Sequence, residues 1–152
     1  MIGKNLSAGA RVRIRRPPAE AFAAFANADK MSKFWFTRRD AGLVEGKKST
    51  WFIGSGEDAY SFDVLVKEIR KPNKIVIEWL GVDGHTTEVI WLFAESDEGD
   101  TILTIEESGF AASSEAIVKR RLDSTAGFNQ VIIAAKALVE HDVEINVVAD
   151  HA

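Results

Sequence analysis

Between Tyr60 and Ser108 the chain alternates apolar and polar residues through four successive runs, and from Ser113 the alternation gives way to a spacing of three and four. No other feature limits the fold so tightly. Phe62, Val64 and Val66 share a face in the first run, and Ile75, Ile77 and Trp79 in the second. Val89, Trp91 and Phe93 do so in the third, and Leu103 and Ile105 in the fourth. A period of two marks strands with one buried face. Turns around Pro72, Gly84 and Gly99 are all that separates the runs, and strands joined so briefly are antiparallel. Beyond them Val131, Ile132, Ala135, Leu138 and Val139 form the stripe of an amphipathic helix. The pattern predicts an α+β chain in which a sheet hides its apolar face under one long C-terminal helix.

Upstream, Val12 and Ile14 alternate with Arg11, Arg13 and Arg15, which predicts a first strand ending at Pro17. Proline is suited to the first turn of a helix, so Pro17 and Pro18 followed by Phe22 and Phe25 predict a short helix over 18–26. Asn27 or Asp29 then caps a second short helix carrying Met31, Phe34 and Trp35. Gly42, Gly46, Gly54 and Gly56 punctuate a meander with short strands near 39–44 and 49–53. Glu68 and Ile69 break the alternation of their strand, as one extra residue in a β-bulge would, and a bulge bends the sheet. Within the C-terminal helix, Asp123 or Ser124 is placed to cap the main part with Gly127 just inside. The turn through Ile117 and Leu122 is therefore expected to be separate or kinked away. Val143, Ile145, Val147 and Val148 make an apolar tail that is costly to leave free.

A curved sheet meets a single helix at its rims more readily than at its middle, so space can remain between them. Trp51, Phe62, Trp79, Trp91 and Phe93 face that space from the strands, joined by Trp35 and Phe110 from connecting segments and Phe128 from the helix. Such residues either line a pocket or fill it as plain core. Glu107 shares the face of Thr101, Leu103 and Ile105, which aims a carboxylate at the concave side, where it needs a hydrogen-bonding neighbour or a ligand's polar group. The alternative is a strand that frays or bulges before Ser108 and Gly109 and turns Glu107 to solvent.

The 152 residues fit one domain spanning 1–152, and a net charge of -4 gives no attraction to nucleic acid. Cysteine is absent, which removes disulfides and thiolate chemistry and agrees with a cytoplasmic location. No apolar stretch approaches the roughly 20 residues that span a bilayer, so no membrane partner is expected. His85, His141 and His151 are scattered, so no metal site is expected, and the glycines at 54 and 56 lack the lysine and helix of a phosphate loop. No cofactor is expected either. On the nominally outer face, Val76, Leu80, Ile90 and Leu92 are apolar. Either the short helices or the tail cover them, or they form the contact of a homodimer or another protein partner.

Four stretches carry a resemblance: RRPPAEAFAAFANADKMSKFW, FDVLVKEIRKPNKIVIEW, DTILTIEESGF and DSTAGFNQVIIAAKALVEHDVEINVVAD. Together they resemble the START-like (SRPBCC) helix-grip superfamily, in the branch named for activators of the heat-shock-protein ATPase. The resemblance implies a hydrophobic pocket between sheet and helix, with Trp35, Trp79, Trp91, Glu107, Phe110 and Phe128 at pocket-facing positions. Many members have glycine then tryptophan at the start of the last helix, whereas here Phe128 follows Gly127 and offers no N–H donor. The superfamily includes lipid carriers, hormone receptors, aromatic cyclases, oxygenase domains and co-chaperones, so fold alone does not assign a role. The iron and cofactor ligands of its oxygenases are not supplied by this sequence. The expectation is a module that binds a small apolar molecule. The alternatives are a polyketide-cyclase-like enzyme using Glu107 as acid or base, and a co-chaperone-like interaction domain.

Overall fold

The computed structural model describes residues 7–36, 38–39, 42–54, 59–80, 84–110 and 115–151. Strand β1 (Ala8–Ile14) leads into helices α1 (Pro18–Ala26) and α2 (Ala28–Met31). Six strands follow: β2 (Arg38–Arg39), β3 (Lys48–Ile53), β4 (Tyr60–Arg70), β5 (Lys74–Leu80), β6 (Thr86–Glu95) and β7 (Thr101–Ser108). Helix α3 (Glu115–His141) comes last. The seven strands form one antiparallel sheet in the order β1-β7-β6-β5-β4-β3-β2, curved about α3 in a helix grip. Only the first and last strands in this order are edges, and β2 is two residues long.

Local chemistry explains the boundaries. Pro18 opens α1 in its first turn, and Asn27 ends it with an extended backbone. The Asn27 side chain then accepts the Lys30 N–H at 3.0 Å and caps α2. Phe34 and Trp35, expected on that second helix, lie in the turn just beyond it. The strand expected near 39–44 is limited to Arg38–Arg39, with 42–44 irregular and residues 40 and 41 outside the described residues. The phase break at Glu68 is a bulge, because the β4–β5 register shifts between Val66 and Glu68.

Phe22 and Phe25 of α1 pack on Phe93 at ring separations of 5.5 and 6.1 Å, so the short helices lie on the concave side beside α3. Arg39 secures them. Buried at 5% exposure, its guanidinium donates to the carbonyls of Phe25 (2.9 Å) and Ala26 (2.7 Å) at the C-terminal end of α1. The helix dipole favours a cation there, and the same group lies 5.6 Å above the Trp51 ring.

The expected break in α3 does not occur, and the helix runs unbroken from Glu115 to His141 through Asp123, Ser124 and Gly127. A glycine in a helix interior costs about 1 kcal/mol relative to alanine. Burial of Ile117 on one side of it, and of Phe128, Val131 and Ile132 on the other, outweighs that cost. One flank of α3 is stitched to the backbone of β1 and its ends. Arg121 donates to the Ser7 carbonyl (3.2 Å), Asn129 to Gly9 (3.5 Å) and Lys136 to Arg13 (2.6 Å), while Glu140 accepts the Arg15 N–H (2.8 Å).

The apolar tail is half used. The Val147 N–H donates to the Phe34 carbonyl (3.2 Å) and Asn146 to that of Ser32 (2.9 Å). These bonds seat Val147 and Val148 on the core, whereas Val143 and Ile145 stay exposed. Since the short helices and the tail both lie on the concave side, they do not cover the convex face. There Leu92 is exposed and Val76 is buried, while ion pairs interleave the apolar residues. Glu68 joins Arg70 (2.8 Å) and Lys74 (3.3 Å). Lys67 joins Glu88 (2.7 Å) and Glu78 (3.3 Å), whose hydrogen bonds raise its ammonium above the ordinary 10.5.

Candidate functional site

Antiparallel register brings three polar side chains together at one end of the concave face. Trp79 on β5 stands opposite Thr87 on β6, and Glu107 on β7 stands opposite Val89, two residues along. Because β7 continues to Ser108 without fraying, Glu107 keeps the inward phase of Leu103 and Ile105 and is 1% exposed. The reading that turns it to solvent is overturned. Its Oε2 accepts the Trp79 indole N–H at 2.8 Å and a short bond from the Thr87 hydroxyl.

Arg120 supplies the charge partner. Its Nη2 lies 3.5 Å from Glu107 Oε2 and 3.0 Å from Thr87 Oγ1, and Nη1 donates to the His85 carbonyl at 3.3 Å. The guanidinium sits 5.2 Å from the Phe110 ring. Phe110 itself is buried with Ala8 and Ile117 in a cluster apart from the main core. A buried carboxylate satisfied on one oxygen by three donors is strongly held. The other oxygen, Oε1, is buried and has no hydrogen-bond partner among the described residues.

Beside this cluster lies a cavity of about 600 Å³ between the sheet and the N-terminal half of α3. Phe36, Ile53, Tyr60, Phe62 and Trp79 wall it, as does Leu80, expected on the outer face, at the end of β5, with Glu107 at the sheet side and Ala116, Lys119, Arg120, Asp123 and Ser124 from α3. Lys119 pairs with Asp123 at 3.2 Å, so the charges at the helix side are balanced.

Of the nine residues picked out by sequence, Phe62, Trp79 and Glu107 line this cavity. Trp51, Trp91 and Phe93 do not line it and are fully buried core. Trp35 is buried among Phe25, Trp51 and Trp91, at ring separations of 5.4 to 6.2 Å. Phe128 stacks parallel on Trp79 at 6.3 Å and backs the wall instead of forming it. Phe110 braces Arg120. Alternation identifies which residues face inward but not how far each stands from the helix, so it cannot separate wall from filling. The residue that sequence reasoning missed is Arg120. Its signal was the unmet need of Glu107 for a partner, together with a helical position one turn after Ile117.

The family model described as "Activator of Hsp90 ATPase homolog 1-like protein" matches residues 15–140. The chain belongs to that family. The match runs from the end of β1 to the end of α3 and so includes every cavity-lining residue named above. No curated protein matches the chain. Solved structures share the fold. Protein SSP2350 from Staphylococcus saprophyticus is 24% identical with a TM-score of 0.75, over 93% of this chain and 96% of that one. DynU16, a putative protein in the dynemicin biosynthetic locus, is 17% identical with a TM-score of 0.76, over 92% of this chain and 49% of that one. The Aha1 dimer from Colwellia psychrerythraea is 15% identical with a TM-score of 0.69, over 90% and 98%. Among the described residues no helix is long and apolar enough to cross a membrane.

Proposed function

We propose that this family member binds a small, mainly apolar molecule between the sheet and the N-terminal half of α3, anchored by a hydrogen bond to Glu107. The observation that carries the reading is the Glu107 carboxylate, fixed by Trp79, Thr87 and Arg120 on one oxygen and unpartnered on the other among the described residues, in the wall of an aromatic cavity. A volume of about 600 Å³ lies within the usual range for small-molecule sites, which are apolar with a few placed polar groups. Arg120 and Lys119 already have carboxylate partners, so the site favours a neutral donor over an anion. Acid–base catalysis is the weaker reading. Trp79, Thr87 and Arg120 all donate to Glu107, and an indole, a hydroxyl and a paired guanidinium do not supply a second general acid or base.

Titration with 2-naphthol and its methyl ether, followed by tryptophan fluorescence, tests the binding. Saturable binding of 2-naphthol is expected, about tenfold tighter than the ether because only the naphthol donates. In Glu107→Gln that preference should shrink. Equal affinities would remove Glu107 as the anchor, and no saturable change with either compound would remove the pocket. A second reading, self-association, draws on exposed Leu92 and Leu65 of the convex face and on likeness to a protein solved as a dimer. Light scattering at high concentration tests it, and a strict monomer would rule it out.

A further inference from the structure

A second cavity, of about 330 Å³, lies further along α3 and is lined by Trp35, Ile53, Gly127, Val131, Val147 and Val148, with Gln130 and His151. Ile53 belongs to both cavities. Phe36 lines the first and its neighbour Trp35 the second. On the helix, Ser124 lines the first and Gly127, one turn on, the second. At the junction α3 presents no side chain: a Cβ built on Gly127 would meet no described atom within 4 Å.

We propose that the two cavities are the two ends of one groove, and that its ligand is an elongated amphiphile. A hydroxyl or amine donor sits on Glu107, and an apolar tail passes Gly127 toward Val147 and Val148. This rests on the binding function proposed above and adds a length and a direction to it. At 1.5 Å per residue, Arg120 and Val131 are about 16 Å apart along the helix axis, the length of a phenol with an eight-carbon tail. The head end holds a buried carboxylate oxygen without a partner among the described residues. The far end is walled mainly by aliphatic and aromatic side chains. The polarity therefore runs one way. Gly127 lies where the two meet, and the open space beside its α-carbon, kept at a cost in helix stability, leaves the passage clear.

The test uses the full chain and a series of 4-n-alkylphenols from ethyl to nonyl, read by fluorescence, since Trp79 lines the first cavity and Trp35 the second. Wild-type affinity is expected to rise about fourfold per added methylene until the tail reaches about eight carbons. Gly127→Leu should bind 4-ethylphenol as the wild type does but lose roughly a hundredfold in affinity for 4-octylphenol. Gly127→Ala should lose far less. If circular dichroism finds the leucine variant unfolded, Val148→Glu reads the same point from the far end, weakening only the long tails. A gain that stops at short tails in the wild type, or that persists in full in both Gly127→Leu and Val148→Glu, would overturn the groove and leave the first pocket standing. Failure of every alkylphenol to bind would instead remove the pocket reading itself.

Discussion

The C-terminal half of α3 and its N-terminal half lie over the same sheet, yet only the first rests on a core that is filled apart from the smaller cavity beside Val131. From Phe128 to Leu138 the helix buries six side chains. They stand over a cluster in which Phe25 touches Phe34, Trp35, Trp91 and Phe93 at ring separations of 5.1 to 6.2 Å. From Glu115 to Gly127 only Ile117 is buried, and the turns that face the sheet present Ala116, Arg120, Ser124 and Gly127 to open space. The sheet offers aromatics at both ends. What differs is the third layer. Helices α1 and α2 wedge in beside the C-terminal half, while among the described residues no helix does so at the other end. The fold thus separates a region that supplies stability from a region free to keep a void.

Paired truncations should break or uphold that division. Phe25→Ala, in the filled region, is expected to cost about 3–5 kcal/mol, measured by chemical denaturation. Phe62→Ala, at the partly buried cavity wall, should cost about 1 kcal/mol while weakening 2-naphthol binding. Equal costs would mean that the cavity wall is as structural as the core. Next in size is Arg120→Met, which leaves the Glu107 carboxylate buried without its cation and should cost about 3 kcal/mol. A neutral result would mean that Trp79 and Thr87 suffice to hold the carboxylate.

The smallest effect concerns the filled end and depends on pH. Burial by itself pushes the Glu140 carboxyl up, but hydrogen bonds from Lys136 and the Arg15 N–H, with the Lys136 charge, outweigh it and hold the group below the ordinary 4.5. A carboxyl lowered in the folded state contributes stability that is whole above the unfolded value and is lost as pH falls through the folded one. Glu140→Gln should therefore be less stable near neutrality and lose less on acidification below about 4.5. Parallel stability curves for variant and wild type would show that the α3–β1 contact does not draw on this charge.

Much of the architecture was legible because it depends on period and punctuation. The prolines at 17 and 18 and the aromatics at 22 and 25 gave α1 its observed bounds, and the phase break at Glu68 marked the bulge. Glu107 was legible as an inward carboxylate. Its burial depended on whether β7 held its register to Ser108, which pairing with Glu88 on β6 secures and a single strand does not reveal. The unbroken α3 was misjudged because cap residues at 123 and 124 and a glycine at 127 are local signals, and the burial that overrides them is tertiary. The separation of Phe62 and Trp79 from Trp51, Trp91 and Phe93 was not legible at all. All five share the inward phase, and which of them is covered is decided by the placing of α1, α2 and the turn after them, where Phe25, Trp35 and Phe36 pack.

The stitching of α3 along β1 also bears on how this chain meets other chains. A free sheet margin recruits a further strand through its unused N–H and carbonyl groups. Here Ser7, Gly9, Arg13 and Arg15 have already given theirs to Arg121, Asn129, Lys136 and Glu140, and the opposite margin, β2, is only two residues long. A partner strand docking onto β1 would have to displace these bonds, and mutations that detach α3 from β1 would create an aggregation-prone edge.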